Sequence, residues 1–249
     1  MKLIDINCDL GEGVLISDCE QDATLMPYIS SCNIACGGHA GNESIIRKSL
    51  LNARLHKLKI GAHPGYEDKE NFGRISLAIS INELIDSIKR QLDSFFNISS
   101  ELNIAIHHIK FHGALYNDLE KKPKLSLALA QLLIQDYSEF KVYGLANGVF
   151  EKCCIDLNID FIAEGFMDRT YTSTGLLTPR SEKNAMITAQ DKSIAQAVLL
   201  ASNKEVTTSD NQVIKPNVKT ICLHGDNPNA VAIAKALHKE LTYAGFIIQ

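Results

Sequence analysis

Short apolar runs alternate with longer amphipathic stretches along the chain, and most of the short runs end in histidine, a carboxylate or glycine. Residues 3–9 follow period two. Leu3, Asp5, Asn7 and Asp9 share one face and Ile4, Ile6 and Cys8 the other, as in a strand whose apolar face packs under helices. The next turn, residues 10–13, brings Glu12 close to Asp9. A second strand-like run, through Asn33, leads into Gly37-Gly38-His39-Ala40-Gly41, where glycine frees the backbone beside an imidazole. Asn42 is placed to cap a helix over roughly 42–57. A third run, 59–63, ends in His63-Pro64-Gly65. Ser80 and Glu83 are spaced as a capping box, and Leu84, Ile85, Ile88, Leu92 and Phe95 continue at helical spacing, so a helix is expected over 79–97.

In the fourth strand, within 104–112, His108, Lys110 and His112 share one face and His107 takes the other. A buried lysine costs several kcal/mol unless it is paired or held against a ligand, so this face is read as a site. Residues 113–117 are expected to turn before a helix near 124–136. A fifth strand, 141–146, ends in Asn147-Gly148. A sixth, 160–166, carries Glu164 near its end, with Asp168 and Arg169 just beyond. Loop 170–180, closing on Pro179-Arg180, has the length of a functional lid. A helix over 188–201, a polar hairpin or excursion at 203–217 and a seventh strand at 219–224, ending in His224, follow. Asp226 or Asn227 is expected to cap a last helix over about 228–244, with Pro228 in its first turn.

Strands alternating with helices predict parallel βαβ units. In a closed barrel every strand's C-terminal end reaches one mouth, whereas in an open sheet only those near a switch point would meet. With polar groups at nearly all the ends, the expectation is an α/β fold forming one distorted (β/α) barrel domain over 1–249, with about seven parallel strands.

Composition narrows the chemistry. The chain has 249 residues, 45% of them hydrophobic, enough for a large core, and a net charge of −4 argues against a nucleic-acid surface. No apolar run reaches the ~18 residues of a membrane span. An acidic residue as early as Asp5 does not suit a signal peptide, so a cytosolic protein is expected. Seven cysteines lack zinc or C-x-x-C spacing and are read as structural thiols. A nucleophile elbow, a Walker loop and H-E-x-x-H are all absent from the sequence. If the strand ends converge, the mouth holds His39, His63, His112 and His224, the carboxylates Asp9, Glu12, Glu164 and Asp168, and the cations Arg74, Lys110, Arg169 and Arg180. That set suits acid–base hydrolysis of a small anionic molecule. A divalent metal held by Asp9 and two of the histidines fits the same inventory, and spacing alone does not choose between them.

Seven blocks in order carry a resemblance. They are Asn7-Cys-Asp-Leu-Gly-Glu12-Gly, Cys32-Asn-Ile-Ala-Cys-Gly-Gly-His-Ala-Gly41, Gly61-Ala-His-Pro-Gly-Tyr66, Phe72-Gly-Arg74, His112-Gly-Ala-Leu-Tyr-Asn117, Phe166-Met-Asp-Arg169 through Pro179-Arg180, and Cys222-Leu-His-Gly-Asp226. Together they resemble the LamB/YcsF family, the A component of prokaryotic ATP-dependent 5-oxoprolinases. The resemblance implies a barrel related to glycoside hydrolase/deacetylase barrels. It also implies cleavage of 5-oxo-L-proline to L-glutamate with ATP and Mg²⁺, alongside subunits B and C, and leaves a homo-oligomer open. The residues expected to do chemistry are Asp9 or His63 to activate water and His39, His112 or His224 to protonate the leaving nitrogen. Those expected against substrate are Glu12, Asn33, Lys110, Asp168, Arg169 and Arg180; no residue is assigned to a metal. The sequence departs from the family pattern at Phe111 (for proline), Gly38 (for an aromatic), Asn42-Glu43 (for Asp-Pro) and in a shortened run after Gly13, all of which bear on pocket shape. Two other readings stay open: a stand-alone metal-dependent deacetylase or amidohydrolase, and a non-catalytic lactam-binding component.

Overall fold

The computed structural model describes residues 2–225 and 229–249. In chain order the strands are β1 (Lys2–Leu10), β2 (Ser31–Ala35), β3 (Lys59–His63), β4 (His108–Lys110), β5 (Lys141–Leu145), β6 (Phe161–Phe166), β7 (Val206–Thr207), β8 (Val213–Ile214), β9 (Thr220–His224) and β10 (Phe246–Ile248). The helices are α1 (Ile16–Ala23), α2 (Glu43–Leu55), α3 (Ile81–Glu101), α4 (Gly113–Lys121), α5 (Pro123–Asp136), α6 (Val149–Asp156), α7 (Gln190–Ala201) and α8 (Ala230–Tyr243). Strands β1 to β6 and β9 pair in parallel, and β9 returns to β1, so seven strands close a barrel. β7 and β8 form the hairpin expected within 203–217.

Local chemistry sets the helix starts. The Asn42 side chain accepts from the Ile45 N–H, and Ser80 and Glu83 form the reciprocal box that opens α3. Asp226, Asn227 and Pro228, expected at the start of the last helix, lie outside the described residues. Two expectations need correction. Residues 113–117 are not a turn but the first part of α4: Gly113 takes φ +57°, and a Cβ there would lie 2.6 Å from the Gly73 carbonyl, but good helix formers follow it at once. β10, which pairs with the first residues of β1 outside the closed barrel, has too short a sequence signal to predict.

Apolar residues fill the layer between barrel and helices. Ile4, Ile6 and Cys8 point outward from β1 into this layer and are buried. All seven cysteines are free thiols. Among the described residues no helix is long and apolar enough to cross a membrane.

The barrel interior is polar and hydrogen-bonded. Asp5 accepts from Ser30, Ser31, Thr220 and Tyr143. Asn7 donates to Glu164 and Thr220, and Asn33 donates to Asn7 and Asp9. His108 contacts the Asn33 side-chain oxygen Oδ1 at 2.6 Å and stacks on Tyr143. Gly61 faces it in register, and a Cβ there would lie 2.2 Å from His108 Nε2. Gly61→Ala is therefore expected to cost about 1–3 kcal/mol through overpacking; an unfolding midpoint in urea equal to that of the parent would refute this.

Glu120 of α4 is also buried and accepts from the Val149 N–H at the start of α6. Burial pushes its carboxyl up to about 7 from 4.5. The folded state thus holds this proton more tightly than the unfolded chain. The associated stability is full below 4.5 and is lost as pH rises towards 7. Glu120→Gln keeps the acceptor and has no charge to bury. It should gain a few degrees in melting temperature over the parent at pH 8 and little at pH 4.5; equal gaps at both would remove this account.

Candidate active site

The parallel register sets the site. Asp9 pairs with Asn33 on one side and His224 on the other, Ala35 pairs with His63, and Leu145 with Glu164. Because all seven barrel strands run the same way, their C-terminal ends open on one mouth. A cavity of about 230 Å³ lies there, walled by Asp9, Glu12, His63, Lys110, His112 and His224 among others. The rim carries Arg74, Arg180 and Asn117.

Lys110 is the centre of the floor. Its Nζ lies 2.9 Å from Asp9 Oδ1, 2.8 Å from Glu164 Oε1 and 3.1 Å from Asn7 Oδ1, with only 2% of the residue exposed. Burial works against its charge, but the carboxylates of Asp9 and Glu164 outweigh burial and push its pKa well up. Burial likewise raises Asp9, and His63 and Lys110 together overcome it, holding Asp9 well below the usual carboxylate range. Asp9 is thus an ionised carboxylate at neutral pH. Cys222, 3.4 Å from Lys110, stays a thiol because burial pushes its pKa well up.

On one side His224 Nδ1 lies 2.7 Å from Asp168 Oδ2. Burial lowers the imidazole's pKa, but Asp168 more than compensates, so the net shift is upward. Asp168 is in turn held low against burial by His224. A ligand atom of His224 lies within 4.8 Å of one from Asp9. On the other side Glu12 Oε1 lies 3.0 Å from His39 Nε2 and 3.3 Å from His112 Nδ1. Burial lowers His39 to about 4 despite Glu12, so it is neutral and donates to that carboxylate. Interactions with His112 and His39 overcome burial and hold Glu12 low.

The structure sorts the expected residues. Asp9, Glu12, His63, Lys110, His112, Arg169, Arg180 and His224 reach the cavity wall. Asn33, expected against substrate, is fully buried beneath Asp9, where it orients that carboxylate. His39 is buried behind Glu12 and off the wall. Arg169 is mostly buried, and its guanidinium donates to the Thr178 and Ala185 carbonyls, tying down the loop after β6. Asp168 sits behind His224 rather than on the wall.

Tyr116, which donates to Glu164, and Phe72, whose carbonyl contacts His112 Nε2 at 2.9 Å, complete the site without having been singled out from the sequence. Phe72 holds φ +55°, a costly backbone for a non-glycine residue. Its place in the Phe72-Gly-Arg74 block was the available signal. Phe111, in place of proline, is buried against Phe150. Gly38 faces Gln91, where a Cβ would lie 2.4 Å from the amide oxygen.

Comparisons with known proteins agree with the fold. The chain is 35% identical over 249 residues to a protein of Bacillus cereus (strain B4264) named as the A component of 5-oxoprolinase, covering 100% of this chain and 98% of that one. It is 36% identical over 240 residues to the protein of that name from Bacillus anthracis (strain CDC 684 / NRRL 3495), covering 96% and 95%. Among solved structures, the lactam utilization protein from Thermus thermophilus superposes with TM-score 0.91 at 28% identity, covering 100% and 99% of the two chains. The T48 deacetylase, at 13% identity and TM-score 0.52 over 100% and 87%, shares the fold. A family model described as LamB/YcsF matches residues 4–249, and the chain belongs to the LamB/YcsF family.

Proposed function

We propose that this chain is the ring-opening component of a 5-oxoprolinase. It hydrolyses 5-oxo-L-proline to L-glutamate, with ATP and Mg²⁺ used together with partner subunits B and C. The observation that carries the reading is the pairing of Asp9, held well below the usual carboxylate range, with its strand neighbour His224, whose pKa Asp168 raises, in the wall of a cavity too small for a large ligand. The names of the relatives support the substrate class.

In this reading Asp9 takes a proton from water as its oxygen bonds to the lactam carbonyl carbon. The carbon–nitrogen bond then breaks, and His224 gives its proton to the departing nitrogen. With His63, Lys110 holds the Asp9 carboxyl low, and it does not reach for substrate, because Asp9 and Glu164 already occupy it. Arg180 and Arg74 at the rim are placed for the substrate carboxylate. An unactivated lactam resists water, and ATP consumed with the partner subunits supplies the activation. The sequence has no Walker loop of its own to do this.

The test is glutamate release from 5-oxoproline by the purified chain, with and without ATP and with and without subunits B and C. Turnover confined to the complete mixture supports the reading. Turnover by the chain alone, or under no condition, overturns it.

A further inference from the structure

The histidines beside Glu12 cannot all satisfy one another as neutral rings. His63 Nδ1 lies 2.8 Å from the Lys110 carbonyl, and His112 Nε2 lies 2.9 Å from the Phe72 carbonyl. A carbonyl oxygen only accepts, so each of those nitrogens carries the ring's hydrogen. The remaining nitrogens, His63 Nε2 and His112 Nδ1, then present bare lone pairs to each other at 3.0 Å. Two carboxylate oxygens add further negative character: Asp9 Oδ2 lies 3.4 Å from His63 Nε2, and Glu12 Oε1 lies 3.3 Å from His112 Nδ1 and 4.0 Å from His63 Nε2. Two imidazole nitrogens and two carboxylate oxygens converge with no hydrogen among them. Something positive must stand between: either an extra proton or a metal cation.

We propose that Glu12, His63 and His112 bind one divalent first-row metal ion, with zinc as the best match; this goes beyond the ring-opening reading and does not depend on it. The donor set is two imidazoles and one carboxylate, a combination that suits zinc and its first-row neighbours. Bonds of about 2.0–2.2 Å to a common ion place donors roughly 3–4 Å apart, and the three separations here are 3.0, 3.3 and 4.0 Å. Both imidazoles are already oriented by backbone carbonyls through their other nitrogens, the usual outer support of a metal-bound histidine. All three residues stand on the cavity wall, so a coordination position opens towards the substrate space.

His39 has a different part. Its ring stacks on His112 at 3.5 Å with only 4° between the planes. One ion could not lie in both ring planes, so His39 serves as the hydrogen-bond donor that orients Glu12. Its Nδ1, buried without a partner, is then the bare nitrogen of a neutral ring.

The test uses the full chain, stripped with a chelator and titrated with Co²⁺ and then Zn²⁺. Expected are a one-to-one cobalt absorption band displaced by zinc, loss of saturable binding in His63→Ala and His112→Ala, and about 10- to 100-fold weaker binding in His39→Ala. His107→Ala, on the opposite strand face, should bind as the parent does. Imidazole nitrogen NMR on the unmutated chain guards against variants that fail to fold. Zinc should shift His63 Nε2 and His112 Nδ1 and leave the hydrogens on His63 Nδ1 and His112 Nε2 in place. The proposal is overturned by the absence of stoichiometric binding, by shifts confined to other histidines, or by a shared proton between His63 and His112 that persists in excess zinc.

Discussion

Asp168→Asn is expected to lower kcat for 5-oxoproline hydrolysis in the complete enzyme by about 10²- to 10⁴-fold, the usual worth of a positioned acid–base group. The side chain keeps its shape and can still contact His224, but loses the charge that raises the imidazole's pKa. In the parent the rise due to Asp168 outweighs burial and Lys110, with Asp9 assisting. Without it, burial prevails and His224 gives up its proton at lower pH. If His224 is the acid, the alkaline limb of the kcat profile must move to lower pH in the variant. A variant with an unmoved profile, whatever its rate, would show Asp168 to be structural only. His224→Ala should match the loss in rate and remove that limb.

Lys110→Met is expected to destabilise the fold by about 3–5 kcal/mol, as when one partner is removed from a buried ion pair. The methionine fills much of the lysine's volume but leaves Asp9 and Glu164 facing each other beneath a largely closed floor. Asp9 also loses one of the positive neighbours that, with His63, hold its carboxyl low, and its action as a base is lost. Urea unfolding should show the lower stability and the activity assay no turnover. If stability stayed within about 1 kcal/mol of the parent, the ion-pair account of the floor would be wrong.

Much of the barrel was legible because two periodicities recur: period two in the strands and 3.6 in the helices, separated by turn residues. The capping pairs Asn42–Ile45 and Ser80–Glu83 could be read directly, since they act within four residues. The convergence of Asp9, His63, Lys110, His112 and His224 was legible too, because each lies at or just past the end of a parallel strand. Less visible was the division of labour between neighbours. Nothing local to Asn33 says that it supports Asp9 from below, or to Asp168 that it stands behind His224, because those roles are set by strand register over long sequence separations. Gly113 misled for the opposite reason. A glycine that reads as a turn residue opens a helix here, because the Gly73 backbone passes too close for any side chain.

The closeness of Gly61 and His108 ties two positions far apart in the chain into a single allotment of space. The imidazole occupies the volume that any side chain at 61 would claim. Evolution cannot treat these positions independently: a bulkier residue at 61 is admissible only alongside a smaller one at 108, which would also give up the stack on Tyr143 and the contact with Asn33. Lineages that keep the histidine should therefore keep the glycine, and where one drifts the other should drift with it.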